Sequence, residues 1–107
     1  MSSWCSVKVT EHGGVTVASL NGELDLVSAP GAFERIAIAD GDGLVVIDLS
    51  GVPFIDSVGV GEIIHLARRA GVRLVIAPGS MPERVMKITG LLEAIPCFGS
   101  VDDAVRS

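Results

Sequence analysis

Residues 5–10, CSVKVT, alternate apolar and polar positions, and residues 15–22, VTVASLNG, do the same on the far side of EHGG. A period of two in both segments predicts antiparallel strands joined by a short glycine turn. His12 falls at the tip, where a histidine is expected to be solvated. The period then lengthens. Phe33, Ile36 and Ala37 recur at helical spacing behind Ser28, which can cap a helix with Pro30 at its second position, and DGDG at 40–43 ends it. LVVIDL at 44–49, apolar except for Asp48, is a short buried-strand pattern suited to the middle of a sheet. SGV with Pro53 forms a loop before a helix that begins near Ser57 and runs to about Ala70, with Gly71 as its stop. VRLVIA at 72–77 is a second central strand, and MPERVMKITGL is a short helix with Pro82 in its first turn. PCFG and VDDAVR give a last strand and a terminal helix. The order β-β-α-β-α-β-α-β-α predicts one α/β domain over residues 1–107. It has an N-terminal β-hairpin, then alternating helices and strands, and a mixed central sheet with helices packed on it through right-handed crossovers.

Composition narrows what such a domain does. A chain of 107 residues supports one core and one main working surface. The formal net charge is -5 and the isoelectric point about 4.8, and the only paired basic residues are Arg68 and Arg69. A phosphate backbone would be held against the overall field, which argues against nucleic acid. Half the residues are hydrophobic, yet the longest stretch without Asp, Glu, Lys or Arg, His12 to Gly22, is far short of the ~20 residues that span a bilayer. The first ten residues lack the pattern of a secretory signal, so the expected compartment is the cytoplasm. Cys5 and Cys97 have neither CxxC nor metal-ligand spacing and are expected to be thiols. No metal site and no cofactor are expected.

The chemistry concentrates in FIDSVGVGEII, residues 54–64. Ser57 there is open to three readings: a nucleophile, a helix cap, or a hydroxyl that another protein modifies. A nucleophile elbow needs G-x-S-x-G, but Ile55 stands two before Ser57. His65, eight residues along the same helix, is about 12 Å away by helical rise, too far to act as base. GVGEII is not G-x-G-x-x-G, and there is no Walker loop. An enzyme is therefore not expected. A hydroxyl at a helix N-terminus faces unpaired N–H groups and the positive end of the macrodipole, where a phosphate is well tolerated. Gly59 and Gly61 weaken the helix by on the order of 1 kcal/mol each. Either they let a partner approach Ser57, or they pack against a neighbouring element. Val58, Glu62, His65 and Arg69 share one helical face, and Val60, Ile63, Ala67 and Ala70 share the core face. Val58 then becomes an exposed apolar anchor, with Glu62 and His65 as rim contacts. Asp25 and Asp56, acids at strand ends, are turn or cap acceptors before they are catalysts.

NGELDLVSAP, VVIDLSGVPFIDSVGVGEI and GVRLVIAPGSMPERVMKITGL, in this order and spacing, resemble the STAS domain of bacterial anti-sigma-factor antagonists. The resemblance covers nearly the whole chain. It implies that Ser57 is phosphorylated by a cognate anti-sigma factor with serine kinase activity. Where the family often carries Ser or Thr after that serine, Val58 stands here, so Ser57 is the sole hydroxyl at the helix start. The resemblance also implies that Asp25 lies on the loop beside Ser57. The expected partner-binding set is Asp25, Asp56, Ser57, Val58, Gly59, Gly61, Glu62 and His65. Unphosphorylated, the chain would hold the anti-sigma factor and release a sigma factor; phosphorylation would end that binding, and a serine phosphatase would restore it. ATP and magnesium would belong to the kinase. The alternative within the family is an accessory subunit of a membrane transporter or stress-signalling assembly.

Overall fold

The computed structural model describes residues 4–40 and 43–107. The end of the first helix at DGDG falls partly on residues 41 and 42, outside the described residues. Two long strands, β1 (Cys5–His12) and β2 (Val15–Leu24), form an antiparallel hairpin through Gly13 and Gly14, both with positive φ. Helix α1 (Ala29–Asp40), strand β3 (Leu44–Ile55), helix α2 (Ser57–Ala67) and strand β4 (Gly71–Val75) follow. Helices α3 (Met81–Thr89) and α4 (Leu91–Ala94), the two-residue strand β5 (Cys97–Phe98) and helix α5 (Val101–Arg106) complete the domain. The five strands lie in the order β1-β2-β3-β4-β5, antiparallel between β1 and β2 and parallel thereafter.

The sequential order explains the layering. Each parallel strand is added on the same edge, so crossovers of one hand carry α1, α2 and α3 onto the same face. Their apolar residues Phe33, Ile36, Ile63, Leu66 and Met86 are buried with Leu20, Ile47, Leu49 and Leu74 of the strands in one cluster. The opposite face is covered by α5, whose Ala104 packs with Val17, Val46 and Val75. Arg73 ties that helix down by donating to the Ala104 carbonyl at 2.7 Å.

The order of the elements agrees with the sequence pattern, and the boundaries differ for identifiable reasons. SGV and Pro53 belong to β3, not to a loop. Pairing with β4 ends at Asp48, so from Leu49 onward β3 has no strand neighbour on that side, and a proline lacking its N–H loses no ladder bond there. β3 also carries extra residues relative to β2, with register shifts on either side of the Asn21–Gly51 pair. A glycine suits position 51, because a Cβ there would lie 2.9 Å from the Leu20 carbonyl oxygen and would also displace the Asn21 side chain. Ser28 does not cap α1 with its hydroxyl. The hydroxyl turns back to donate to the Glu23 carbonyl and to accept from Asp25 N–H at 3.2 Å. Helix α2 ends at Ala67 rather than near Ala70, with Arg68 as its C-cap, and α4 is a further short helix after Gly90.

Both cysteines are thiols, Cys5 buried and Cys97 half-buried. Burial pushes both above the usual thiol range; at Cys5 the Asn21 backbone and the Arg35 guanidinium pull the other way, by less. Among the described residues no group of three or more His, Cys, Asp or Glu could hold a metal ion, and no helix is long and apolar enough to cross a membrane.

Gly22 is where the hairpin and the chain before it meet. Its φ is +117°, and a Cβ would lie 2.3 Å from the Trp4 carbonyl oxygen, which accepts from Glu23 N–H at 3.1 Å. Gly22→Ala is expected to lower stability in urea by about 3 kcal/mol, from strained backbone plus a backbone clash. Gly13→Ala, with positive φ but open space, is expected to cost only about 1 kcal/mol.

Candidate functional site

The C-terminal ends of β2 and β3 lie side by side, with Glu23 opposite Phe54 and Leu24 opposite Ile55. Each strand therefore delivers its following loop to the same edge of the sheet. From β2 comes the turn 25–28 that leads into α1. From β3 comes a single residue, Asp56, and then α2.

Asp56 is the N-cap of α2, in extended conformation with φ -112° and ψ -172°. Its Oδ1 accepts from Val58 N–H at 2.9 Å and Gly59 N–H at 3.2 Å, answering two of the backbone donors that a helix start leaves unpaired. Its Oδ2 accepts from Leu26 N–H at 3.1 Å, thirty residues back in the chain. Its own N–H donates to the Leu24 carbonyl at 3.1 Å. One carboxylate thus fastens the start of α2 to the β2–α1 turn. Within that turn Asp25 performs the same task locally: Oδ1 accepts from Val27 N–H and Ser28 N–H, both at 3.0 Å. The Asp25 carbonyl in turn accepts from the N–H of Ala29, the first residue of α1, at 2.9 Å. Both acids are acceptors for backbone, as their strand-end positions predict.

Because Asp56 caps the helix, Ser57 does not. Ser57 is the first residue of α2, exposed, and the described residues place no hydrogen bond on its hydroxyl. The cap reading of Ser57 is thereby replaced by one in which Asp56 holds the structure and Ser57 stands beside it, accessible.

The two glycines separate. Gly59 is buried, and a Cβ there would lie 2.7 Å from both the Leu24 carbonyl oxygen and Ile55 Cγ1. Its lack of a side chain lets α2 approach the strand ends, so it faces inward rather than toward a partner. Gly61 is exposed with nothing within 4 Å of a Cβ. The core seam of α2 is Gly59, Val60, Ile63 and Leu66, with Ala67 only half-buried and Ala70 beyond the helix. Val58 is half-buried and packs against the main core cluster, which corrects its assignment as an exposed anchor. Glu62 is half-buried and His65 exposed, on the outer side.

Two residues that the sequence pattern did not single out are conspicuous. Leu26 and Val27, on the turn that Asp56 and Asp25 fasten, are 69% and 72% exposed. Phe54, just before the site, is also exposed, at 41%. The available signal is an apolar pair between two backbone-capping groups in LDLVS.

Comparison with known proteins gives the family and the fold. The sequence pattern of the STAS domain matches residues 6–104. The chain belongs to the STAS domain family. It is 35% identical over 105 residues to the anti-sigma-F factor antagonist RsfB of Mycobacterium tuberculosis CDC 1551 / Oshkosh, covering 94% of this chain and 86% of that protein, and it matches RsfB of strain H37Rv equally. The crystal structure of an anti-sigma factor antagonist from Mycobacterium paratuberculosis superposes with a TM-score of 0.87 at 31% identity, covering 95% of this chain and 92% of that one. The unphosphorylated form of the anti-sigma factor antagonist SpoIIAA shares the fold, with a TM-score of 0.63 at 17% identity and 92% of each chain covered. The STAS fold expected from the sequence, a single α/β domain on a mixed five-stranded sheet, is the fold observed.

Asp56→Ala removes the acceptor for three N–H groups and is expected to cost about 2 kcal/mol in denaturant unfolding. Hydrogen exchange at the Leu26 amide should accelerate beyond the change at amides outside the turn. The glycines should respond with opposite signs: Gly59→Ala is expected to destabilise by ~1–3 kcal/mol through its backbone clash, and Gly61→Ala to stabilise by up to about 1 kcal/mol through helix propensity.

Proposed function

We propose that this chain is an anti-sigma-factor antagonist whose binding is switched by phosphorylation of Ser57. The observation that carries the reading is an exposed serine at the first position of a helix whose cap is supplied by its neighbour. Modification of such a hydroxyl breaks no hydrogen bond of the fold, and the helix start tolerates the added anion. The names of the mycobacterial relatives support the partner class. The partner is an anti-sigma factor with serine kinase activity, and a serine phosphatase reverses the modification. The chain itself works in the cytoplasm as a binding module, with no cofactor and no catalysis of its own.

The sign of the switch follows from charge. Asp56 adjoins Ser57, and the Asp25 turn is bonded to Asp56 through Leu26. A phosphate adds about -1.5 to -2 charges to this acidic surface. A partner that buries the site must desolvate them together, at several kcal/mol per ion, and each 1.4 kcal/mol weakens binding about tenfold. Gly61, Glu62 and His65 provide the rest of the contact along the outer side of α2. Val58 contributes as support from below.

Calorimetric titration against each purified anti-sigma factor encoded in the source genome tests the reading. The unmodified chain should bind one of them. Kinase and ATP should add one phosphate, mapped by mass spectrometry to Ser57, with binding reduced at least a hundredfold. Ser57→Ala should bind nearly as the unmodified chain does and ignore ATP, and Ser57→Asp should fall between. Val58→Asp is no substitute for phosphorylation, since it would destabilise the core it packs on. A phosphate on Ser50, or tighter binding by the phosphorylated form, would overturn the proposal.

A further inference from the structure

Leu26 and Val27 have no role in folding that their exposure allows, yet the backbone of their turn is held by hydrogen bonds at three successive N–H groups. Leu26 N–H is bonded to Asp56 Oδ2, Val27 N–H and Ser28 N–H to Asp25 Oδ1, and the Ser28 hydroxyl to the Glu23 carbonyl. A loop left to solvent is ordinarily polar, and two large apolar side chains at 69% and 72% exposure on an ordered one are a surface prepared for contact. Holding the backbone beforehand removes most of the ordering entropy that a flexible apolar loop would lose on docking.

We infer that the Leu26–Val27 tip is the apolar half of the docking surface of which Ser57 is the switch, and that it inserts into an apolar recess bordered by cationic groups on the anti-sigma factor. The inference rests on the proposed function and deepens it by stating what the partner must look like. Continuity of the surface is given by Asp56, whose one carboxylate is bonded to the tip and to the helix that Ser57 begins. Charge complementarity sets the rim: Asp25 and Asp56 flank the apolar pair, Glu62 lies further along α2, and the chain carries a net charge of -5. An apolar centre with a charged border is the arrangement in which a few buried side chains dominate affinity while the rim sets orientation. Positions 26 and 27 are therefore the determinants of which anti-sigma factor is chosen. The serine decides only when.

The test uses the full chain and the anti-sigma factor that binds it unmodified. Leu26→Ser and Val27→Thr, singly and together, are compared with Leu26→Met, which keeps an apolar side chain, and with Ile88→Ser, which removes the 85%-exposed apolar residue of α3. Burial of each side chain at the interface predicts about a tenfold or greater loss of affinity per truncation. Leu26→Met should stay within a few-fold of the unmodified chain, and Ile88→Ser should be neutral. The thermal midpoint should be unchanged in all of them, since these side chains support nothing inside the fold. Full affinity in the double variant overturns the inference. If phosphorylation of Ser57 still abolishes binding in that variant, the proposed function stands without it; if phosphorylation has no effect either, both fall. A drop of several degrees in the midpoint of either truncation would also overturn it, by making the tip structural.

Discussion

The site depends on one carboxylate accepting three backbone N–H groups from two distant parts of the chain. Asp56 satisfies the start of α2 through one oxygen and the β2–α1 turn through the other. A neutral acceptor would make weaker bonds in the same places, and hydrogen bonds to an ionised group are roughly twice as strong. The geometry also needs the strands to deliver both loops to one edge, which follows from the parallel pairing of β2 with β3. Ligand and partner sites at the carboxyl ends of parallel strands arise for this reason: the loops meet there, while the sheet beneath stays fixed.

Much of the fold was legible because the period of the apolar residues changes with each element. The alternation in VTVASLNG, the run LVVIDL and the spacing of Phe33 and Ile36 each name their element without help from the rest of the chain. What was not legible came from contacts at long range. Pro53 reads as a loop until one knows that β4 stops pairing at Asp48. Ser28 reads as a cap until the Glu23 carbonyl is found within its reach.

The α2 face shows a subtler failure. A stripe drawn from side chains alone passes through Val60, Ile63, Ala67 and Ala70. The buried seam is turned toward Gly59 and Leu66, because the closest approach in the helix is made by a residue with no side chain to signal it. That rotation carries Val58 inward as well. Ser57 and Asp56 stand out together in the sequence, but their division of labour, Asp56 as cap and Ser57 beside it, depends on φ, ψ and bond geometry that no residue pattern records. Nothing in the sequence near Leu26 marks it, because the group that holds its backbone is thirty residues away.

The unpaired side of β3 has a consequence for behaviour at high concentration. From Leu49 to Ile55 the strand presents backbone on the side that β4 does not reach, in a chain of which 49% is hydrophobic and close to an exposed apolar tip. Open strand edges of this kind recruit further strands and seed aggregation. Pro53 interrupts the row of donors, the bulges on either side of Gly51 bend the strand, and Met81 of α3 approaches closely enough for its sulfur to accept from Ile55 N–H at 3.4 Å. The same segment that brings Asp56 to its place thus carries its own protection against adding a second copy of its edge.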